Sequence, residues 1–580
     1  MFLDAREVIE GTVLSAPVCI VGGGVAGITL ALEFERQGVD AILLESGGFE
    51  ADDASRDLNR GENAGLKFAW ADGARARFLG GSSNCWGGWC GPLRDHEMER
   101  RDWIADSGWP FDRRSLDPYY ERAHPMLNLG PYNYDIARWV AAINRQDVRR
   151  ITLPTGRVHD ILSQFSAPSR FGKVYREHLK RSRRIRVCLY ANVVDIETQS
   201  DPTNVRRMHV KAPTGGRFSV EARQFVLACG GIDNARLLLA SNKAQANGLG
   251  NANDLVGRYF SDHPRVHVGN VRFKSQWKKN KLYDIKFHFL NRAVSANGTY
   301  VSSQFSLDPM LQQREGLLNS QLWFSSVFPG DGTDEAEAVI RMKHRLHAKA
   351  DPDYTVLGDL ALLLGHPINT SKFVLARLLQ LESLINEVKI TVICEPAPNR
   401  DSRVTLSSQR DALGMPRVRM DWRVSDQVKR TIDRSLTVFA DELRVAGVAD
   451  VDLPPKIEGG EWPYTRGTAT DNLGTWHHMG TTRMSDSPRQ GVVDRNCRVH
   501  GMTNLYIAGS SVFPTYGANF PTLTICAMSL RLADHMAAQS RAPDAVSREN
   551  NEDSVTRVHD LAPEKRTPCW VFQCKQGERR

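Results

Sequence analysis

Short apolar runs, glycine turns and helical stretches alternate near the start of the chain. Residues 17–21 form a continuous apolar run rich in β-branched side chains, which is typical of a strand buried on both faces. A helical stretch covers residues 28–37, and residues 40–44 form a second strand. The order of strand, glycines and helix recurs at residues 224–241. This pattern predicts a doubly wound α/β domain that is interrupted by an insertion and resumed later.

The middle of the chain has a different pattern. Strand-like alternation occurs over residues 266–273, 284–290 and 300–305. A helical pattern follows over about residues 334–384. Within it, the apolar residues of segments 356–364 and 374–385 predict helices that face a core, with partner-binding or membrane-surface helices as the alternative. We therefore expect a second domain of mixed or antiparallel sheet covered by helices, which makes the protein α/β, or α+β overall.

These patterns predict the domain boundaries. The expected segments are 1–264 as the first part of a nucleotide-binding domain, 265–465 as a substrate domain, 466–540 as the return to the first domain, and 541–580 as a tail. After Met536 the composition turns polar and charged. Such a composition cannot bury enough apolar surface to fold, so we expect the tail to be disordered.

Three glycines follow the first strand at the spacing of a dinucleotide-binding turn. Gly22 makes the tight turn, Gly24 lets backbone approach a pyrophosphate, and Gly27 lets the helix pack on the strand. Glu45 ends the second strand, where an acid accepts the hydroxyl groups of a ribose. The helix N-terminus adds unpaired N–H groups for phosphates. The sequence therefore predicts a dinucleotide site, with an ordinary glycine turn as the alternative.

A second glycine-rich stretch covers residues 78–90. It combines four glycines with Trp86 and Trp89. Flexible backbone beside flat aromatic surfaces suits a loop that lies against a planar ligand, because glycine allows close approach. A glycine-rich surface turn is the alternative.

Composition and charge narrow the classes of function. With 41% apolar and 24% charged residues, the chain has the composition of a globular protein. The net charge of +8 accompanies no nucleic-acid module, so we expect no nucleic-acid partner. Neither a membrane span nor a secretory leader is predicted, and a cytoplasmic protein with reduced cysteines is expected. Cys569 and Cys574 lack the further ligands of a zinc site, so no metal is predicted.

Jointly and in this order, the motifs of residues 15–540 resemble those of the glucose–methanol–choline (GMC) flavoprotein oxidoreductases, with some resemblance to the pyranose 2-oxidase-like branch. The motifs that carry the resemblance are Gly22-x-Gly24-x-x-Gly27 with Glu45, Gly80-Gly-Ser-Ser, Val226-Leu-Ala-Cys-Gly-Gly231, Asn234-Ala-Arg-Leu-Leu-Leu-Ala-Ser241, Asp254-Leu-Val-Gly257, Asp262-His-Pro264, His477-His-Met-Gly-Thr481, Val499-His-Gly501, Asn504-Leu-Tyr-Ile-Ala-Gly-Ser510 and Asn519-Phe-Pro-Thr522. The resemblance implies FAD in a Rossmann-like domain assembled from several segments.

The resemblance also implies which residues hold FAD. The implied cofactor-binding residues are Gly22, Gly24, Gly27, Glu45, Gly80, Gly81, Ser82, Ser83, Asn84, Cys85, Val193, Gly509, Ser510, Asn519 and Phe520. Among them, Val193 is implied to give a backbone contact to adenine. Cys85 falls where pyranose 2-oxidase-like members carry a histidine bonded to the flavin. Noncovalent FAD is expected, and a thioether through Cys85 is the alternative.

For catalysis, the resemblance implies His477 as the base and Asn519 as its partner. An imidazole with a pKa of about 6.5 takes an alcohol proton near neutral pH. A carboxamide N–H donates to the same oxygen and fixes the substrate. His478 is interpreted as structural, and Phe520, which separates Asn519 from Pro521, is expected to reshape the pocket wall.

The expected activity is oxidation of the CH–OH group of a polyol, sugar, glycoside or secondary metabolite, with hydride transfer to flavin N5. Oxygen or another compound accepts the electrons. The alternatives are a flavin-containing lyase without net redox chemistry and an NAD-dependent dehydrogenase. Residues 265–465 carry no interpretable motif, so the substrate stays open, as does the oligomeric state.

Overall fold

Two large β-sheets organise the part of the chain that the computed structural model describes. That part comprises residues 1–66, 75–166, 169–278, 280–284, 294–346, 355–379, 383, 385, 387–453 and 474–541. By its internal contacts the chain divides into Met1–Ala537 and Ala538–Arg580, and only residues 538–541 of the second unit are described. From residue 285 the predicted strand at 284–290, and from residue 542 the predicted tail, lie outside the described residues.

The first sheet is largely parallel and is centred on Val13–Val21. Its parallel strands are, in spatial order, Phe2–Asp4, Ile185–Leu189, Ala41–Leu44, Val13–Val21, Arg217–Leu227 and Leu505–Ile507. Val205–Lys211 and Asn192–Thr198 continue the sheet in antiparallel fashion from Arg217–Leu227. The helices Val25–Arg36 and Gly230–Ala240 follow two of these strands. The predicted doubly wound α/β class is confirmed, and segments far apart in sequence build one sheet.

The second large sheet is antiparallel. Its strands, in spatial order, are Arg265–Val268, Glu387–Cys394, Ser320–Val327, Thr299–Leu307, Val158–Phe165 and Trp89–Cys90, with Ser295–Ala296 paired to Thr299–Leu307. Two of these strands precede residue 265 in the chain. Smaller sheets pair Asn270–Phe273 with Ala449–Asp452, and join Arg403–Arg410, Pro416–Asp421 and Gly61–Asn63. The predicted domain boundaries remain a prediction.

Helices cover the sheets and connect their strands. The other α-helices are Asp53–Asp57, Asp95–Met98, Asp117–Met126, Ile136–Ile143, Phe171–Val174, Arg176–Arg181, Pro309–Glu315, Asp334–Leu346, Val356–Gly365, Pro367–Leu379, Asp426–Val445 and Thr522–Arg541. Short 3₁₀ helices occur at Gly81–Asn84, Arg113–Leu116, Ser275–Trp277 and Ser510–Val512.

The helix Asp426–Val445 packs its apolar face on the second sheet. The ring of Phe439 lies with its centroid 4.7 Å from that of Phe305 and 5.8 Å from that of Phe324. All three side chains are buried in one apolar cluster. Aromatic pairs at these distances add to the free energy gained by burying their area, so this cluster anchors the helix on the sheet.

The helices Val356–Gly365 and Pro367–Leu379 expose much of their apolar surface. Leu357 is 79% exposed, Leu364 78% and Leu378 69%. The expectation that these segments face a core is wrong for these side chains, because the first helix is apolar nearly all round and only one face can be covered. Within the described residues, no helix combines the length and apolar character that a membrane crossing requires.

The difference in burial predicts a large effect on stability for one substitution and a small effect for another. Phe439→Ala removes a buried ring, and we expect a loss of about 3–5 kcal/mol in the free energy of unfolding. Leu364→Ala, on the exposed face, should change that free energy by less than about 0.5 kcal/mol. Urea unfolding followed by circular dichroism compares the two midpoints with wild type. Equal shifts for both variants contradict the packing described here.

Candidate active site

A cavity of about 720 Å³ is lined by residues of both large sheets. From the first sheet come the glycine turn after Val13–Val21 and the start of Asn192–Thr198. From the second come residues of Arg265–Val268, Ser320–Val327 and Glu387–Cys394. The cavity therefore joins the predicted nucleotide site to the substrate-side sheet.

Most of the sequence-predicted site residues line this cavity. They are Gly22, Gly24, Glu45, Gly81, Ser82, Ser83, Cys85, Val193, His477, Gly509, Ser510 and Phe520. Gly27, Gly80, Asn84 and Asn519 are not among the lining residues. The chain thus brings residues more than 450 positions apart to one space.

The three glycine positions of the first turn differ in what a side chain would contact there. A Cβ on Gly22, whose φ is +109°, would overlap the carbonyl oxygen of Ala228. A Cβ on Gly27 would overlap the carbonyl oxygen of Gly22, so helix packing requires this glycine. A Cβ on Gly24 would meet only the Cα of Gly81, 3.9 Å away, among the described residues. Protein packing does not explain Gly24, and a closely approaching ligand does.

The side chain of Glu45 stabilises the same turn by hydrogen bonds. Its Oε2 accepts a hydrogen bond from the backbone N–H of Gly23 at 2.8 Å, and its Oε1 accepts one from Gly47 at 2.9 Å. Burial raises the pKa of Glu45, while these backbone hydrogen bonds oppose the shift. The side chain therefore fixes the turn and also lines the cavity.

The glycine-rich loop lies against this turn. The backbone N–H of Gly80 donates to the carbonyl oxygen of Gly23 at 2.8 Å. Ser83 Oγ donates to the Gly80 carbonyl at 2.6 Å, and Asn84 Nδ2 donates to that of Leu79 at 3.0 Å. Gly80 and Asn84 therefore shape the loop from within. The remaining predicted loop residues, Gly81, Ser82, Ser83 and Cys85, line the cavity.

Two carboxylates hold three arginines in the cavity wall. Arg75 and Arg77 donate to Asp233 at 2.8 and 3.1 Å, and Arg236 donates to Asp411 at 2.6 Å. Burial alone would raise the pKa of Asp233, but the surrounding arginines lower it to about 2. All five side chains line the cavity, so its acids are already neutralised there.

The backbone before His477 is held by one carboxylate. Asp262 accepts hydrogen bonds from the N–H groups of Thr475, Trp476 and His477 at 3.1, 2.8 and 2.8 Å. Its Oδ1 also accepts from Thr475 Oγ1 at 3.1 Å. Trp476 has a φ of +65°, which costs a side-chain-bearing residue about 1–3 kcal/mol. These bonds offset that strain and fix where His477 points.

The imidazole of His477 is held by His263. Their Nδ1 atoms lie 2.9 Å apart, and His263 Nε2 lies 2.8 Å from the carbonyl oxygen of Gly517. Because a carbonyl only accepts, His263 carries its proton on Nε2 and its Nδ1 is an acceptor. Thr475 Oγ1 also lies 3.0 Å from His477 Nδ1, and its hydroxyl has Asp262 Oδ1 and the His263 carbonyl as acceptors. With His263 Nδ1 as the acceptor, His477 carries its proton on Nδ1. Its Nε2 is left with a lone pair, and the hydrogen bonds of this ring among the described residues all involve Nδ1.

Both histidines are neutral near pH 7. Burial lowers the pKa of His263 to about 4. Burial, and then the nearby His263, Arg265 and His478, lower the pKa of His477 well below its ordinary value of 6.5. The tautomer assignment requires both imidazoles to be neutral, and the lowered pKa values of both side chains are consistent with that.

Among the described residues, the Asn519 carboxamide is hydrogen-bonded to groups other than His477. Asn519 Nδ2 donates to the carbonyl oxygen of Pro92 at 2.8 Å, and its Oδ1 accepts from the N–H of Phe520 at 2.8 Å. Phe520, the next residue, instead lies against His477 with ring centroids 5.2 Å apart. The residue inserted before Pro521 therefore presents a phenyl ring where the sequence predicted an amide.

Aromatic rings form part of the cavity wall beside His477. Trp89 stacks on Phe520 with centroids 4.3 Å apart, and its centroid lies 5.1 Å from that of Trp323. All three rings line the cavity. Such a wall excludes water and offers flat faces to a ligand.

His478 is held differently from His477. Its carbonyl oxygen accepts from Ser510 Oγ at 2.6 Å, and its ring packs on Phe260. Burial lowers its pKa to about 3. These contacts hold the carbonyl and the ring of His478, and its structural role stays a prediction.

Comparison with known proteins shows what the chain is similar to. Residues 398–529 match the GMC oxidoreductase family model for the C-terminal region. The chain is 26% identical to 6'''-hydroxyparomomycin C oxidase of Streptomyces lividus, over 90% of this chain and 92% of the relative. It is 25% identical to paromamine 6'-oxidase of Streptomyces fradiae, over 92% of each chain. The fold is shared with a formate oxidase variant of Aspergillus oryzae RIB40, with a TM-score of 0.51, 16% identity, and coverage of 92% of this chain and 99% of that one.

A largely parallel sheet, which carries the glycine turn, and an antiparallel sheet line one cavity. Over residues 398–529 the chain matches the GMC oxidoreductase family model, and the two Streptomyces relatives, at 26% and 25% identity, are named as oxidases. The family implies FAD, and the residues present fit it. Gly24 lines the cavity, and protein packing alone would leave room for a side chain at this position. Gly24 is also the N-cap of the helix Val25–Arg36, and no side chain bonds to the free N–H groups at this helix end.

Gly24 provides a direct test of this fit. Gly24→Ala adds one methyl that the protein accommodates, so any loss of FAD reflects contact with the cofactor. Overpacking by one methyl costs about 1–3 kcal/mol, and we expect FAD to bind about 10- to 100-fold more weakly. Absorbance of bound flavin after gel filtration measures retention. Gly216→Ala, where a Cβ also meets nothing, is the matched control, and equal retention in both variants contradicts the assignment.

Proposed function

We propose that this protein oxidises the alcohol group of a sugar-like substrate with FAD, and that His477 Nε2 takes the hydroxyl proton. The observation that carries the proposal is the hydrogen-bonded series from Gly517 through His263 to His477. It leaves one basic nitrogen of a neutral imidazole without a protein partner, on a residue that lines the cavity. A general base needs this combination of free lone pair and fixed direction.

The residues of the chain divide the work of alcohol oxidation among them. The cavity residues would hold FAD, which would supply a hydride acceptor for the carbinol carbon, so that the alcohol would become a carbonyl compound. His477 accepts the hydroxyl proton on Nε2. The resulting imidazolium keeps its Nδ1–H bonded to His263, which holds the ring in place. The rings of Trp89, Trp323 and Phe520 exclude water from the same space.

The substrate class is proposed from two lines of support. The two Streptomyces relatives are named as oxidases of 6'''-hydroxyparomomycin C and of paromamine, and alcohol groups of sugars and glycosides are the targets of such enzymes. The stacked Trp89 and Phe520 rings offer a flat face of the kind on which the apolar face of a sugar ring packs. We further propose that FAD is held noncovalently by the cavity residues, with Cys85 beside it.

Anaerobic mixing of the yellow protein with polyols, sugars and glycosides tests the function. Loss of the visible flavin absorbance, with one carbonyl product per flavin, is the expected result. Opening the sample to air then tells whether oxygen restores the colour or another acceptor is needed. Product formation without bleaching supports the flavin-containing lyase instead.

Removal of the proposed base should separate catalysis from cofactor binding. We expect His477→Ala to lower turnover about 100-fold or more, the usual contribution of a general base, while the protein stays yellow. Steady-state rates and flavin absorbance measure both effects. The control is His178→Ala, whose side chain is 58% exposed. Near-normal turnover in His477→Ala refutes the assigned role.

The same base predicts the direction of the pH dependence. His477 works only when unprotonated, and its pKa lies below 6.5, so the acid limb of kcat/KM should lie below pH 6.5. His263→Leu removes one of the groups that lower this pKa, so the acid limb should move to higher pH. Turnover should also fall about 10- to 100-fold, because the tautomer and direction of His477 are no longer fixed. An unmoved acid limb with lower turnover would mean that His263 has only a packing role.

A further inference from the structure

Arg265 and His267 face the cavity from the first strand of the second sheet. Along Arg265–Val268, Val266 and Val268 are buried in the apolar core, while Arg265 and His267 line the cavity. Side chains alternate between the two faces of a strand, so the cationic Arg265 is presented to the cavity by the register itself. Two residues of extended chain span about 6.6 Å, which keeps Arg265 close to His263 and thus to His477.

The guanidinium of Arg265 has no partner within the described chain. None of its N–H groups donates a hydrogen bond to a described residue, and no described carboxylate lies within ion-pair distance of it; the charge of Asp262 acts on it from further away and opposes the lowering of its pKa by burial. The nearest acid in sequence, Asp262, is occupied by the N–H and O–H groups of residues 475–477. By contrast Arg75, Arg77 and Arg236, which line the same cavity, all have carboxylate partners.

The acids of the cavity cannot neutralise Arg265. Among the described lining residues the acids are Glu45, Asp233 and Asp411. Glu45 accepts backbone N–H groups of the glycine turn, and the other two hold arginines. A guanidinium that lines a cavity with its N–H groups unbonded to any described carboxylate can bind an anion, because its planar fork matches the oxygens of a carboxylate or phosphate.

We propose that Arg265 binds an oxyanion group of the alcohol substrate, a carboxylate or a phosphate ester, and so directs the enzyme to anionic sugars such as uronic, aldonic or phosphorylated ones. The inference rests on the proposed alcohol oxidation. His267 lies two residues further along the same face, and its Nδ1 lies 2.8 Å from Thr391 Oγ1, so its ring is fixed at the edge of this subsite.

Four hexoses that differ in charge test the proposal. The probes are D-glucuronate and D-glucose 6-phosphate, neutral D-glucose, and cationic D-glucosamine. Calorimetric titration of FAD-loaded His477→Ala measures binding alone, because turnover is removed. We expect at least one anionic probe to bind about tenfold or more tightly than glucose, and glucosamine to bind most weakly. The anion that prevails tells carboxylate from phosphate.

Arg265→Gln on the same background should abolish this preference while the affinity for glucose changes less than about twofold. Arg265→Lys keeps the charge without the fork and should retain part of the preference. The matched control is Arg314→Gln, whose side chain is 71% exposed and which should leave all four affinities unchanged.

Two results would overturn the inference. Equal binding of anionic and neutral probes to the parent protein removes the anion site. Loss of FAD from Arg265→Gln assigns the arginine to the cofactor instead. The anion site and the proposed function can be refuted independently. If neutral sugars bleach the flavin and Arg265→Gln changes nothing, alcohol oxidation is supported and the anion site is refuted. If anions bind in a way that depends on Arg265 but no alcohol bleaches the flavin, the anion site is supported and the proposed alcohol oxidation is refuted.

Discussion

The carboxylate of Asp262 holds the backbone from which His477 projects, and the site depends on this contact. Three consecutive N–H groups and one hydroxyl converge on it, across more than 210 residues of sequence. The next residue, His263, then holds the imidazole. One dipeptide therefore fixes both the backbone and the ring of His477. Because Trp476 adopts a left-handed backbone conformation, the loop would not keep this shape without that carboxylate.

A buried ion pair extends this support into the second sheet. Arg101 and Glu395 meet at 2.7 Å, and Glu395 also accepts from the N–H of Gly517 at 3.2 Å. Gly517 in turn supplies the carbonyl that sets the tautomer of His263. Breaking a buried pair of this kind is costly because a charge is left without a partner, so the arrangement is rigid. The substrate-side sheet is thereby tied to the proposed base through fixed hydrogen bonds.

The local motifs of the sequence predicted the α/β fold, and they also identified Gly24, Glu45 and His477 as lining residues, because each lies in a short pattern with its own geometry. The role of His263 could not be predicted, since its partner is 214 residues away. The sequence also could not show that the Asn519 carboxamide bonds to the carbonyl of Pro92 and the N–H of Phe520, because Pro92 is 427 residues away. Strands such as Ser320–Val327 were missed because they bury serine and glutamine, so apolar alternation is absent.

The central claim is that His477 presents an unprotonated Nε2 because His263 accepts the proton of its Nδ1. Neutron diffraction from deuterium-exchanged crystals of the FAD-loaded protein tests it most directly, because it locates the exchangeable protons. The account predicts deuterium on His263 Nε2 and on His477 Nδ1, and none on His477 Nε2. Deuterium on His477 Nε2 alone, or imidazoles too far apart to share a hydrogen bond, would contradict it.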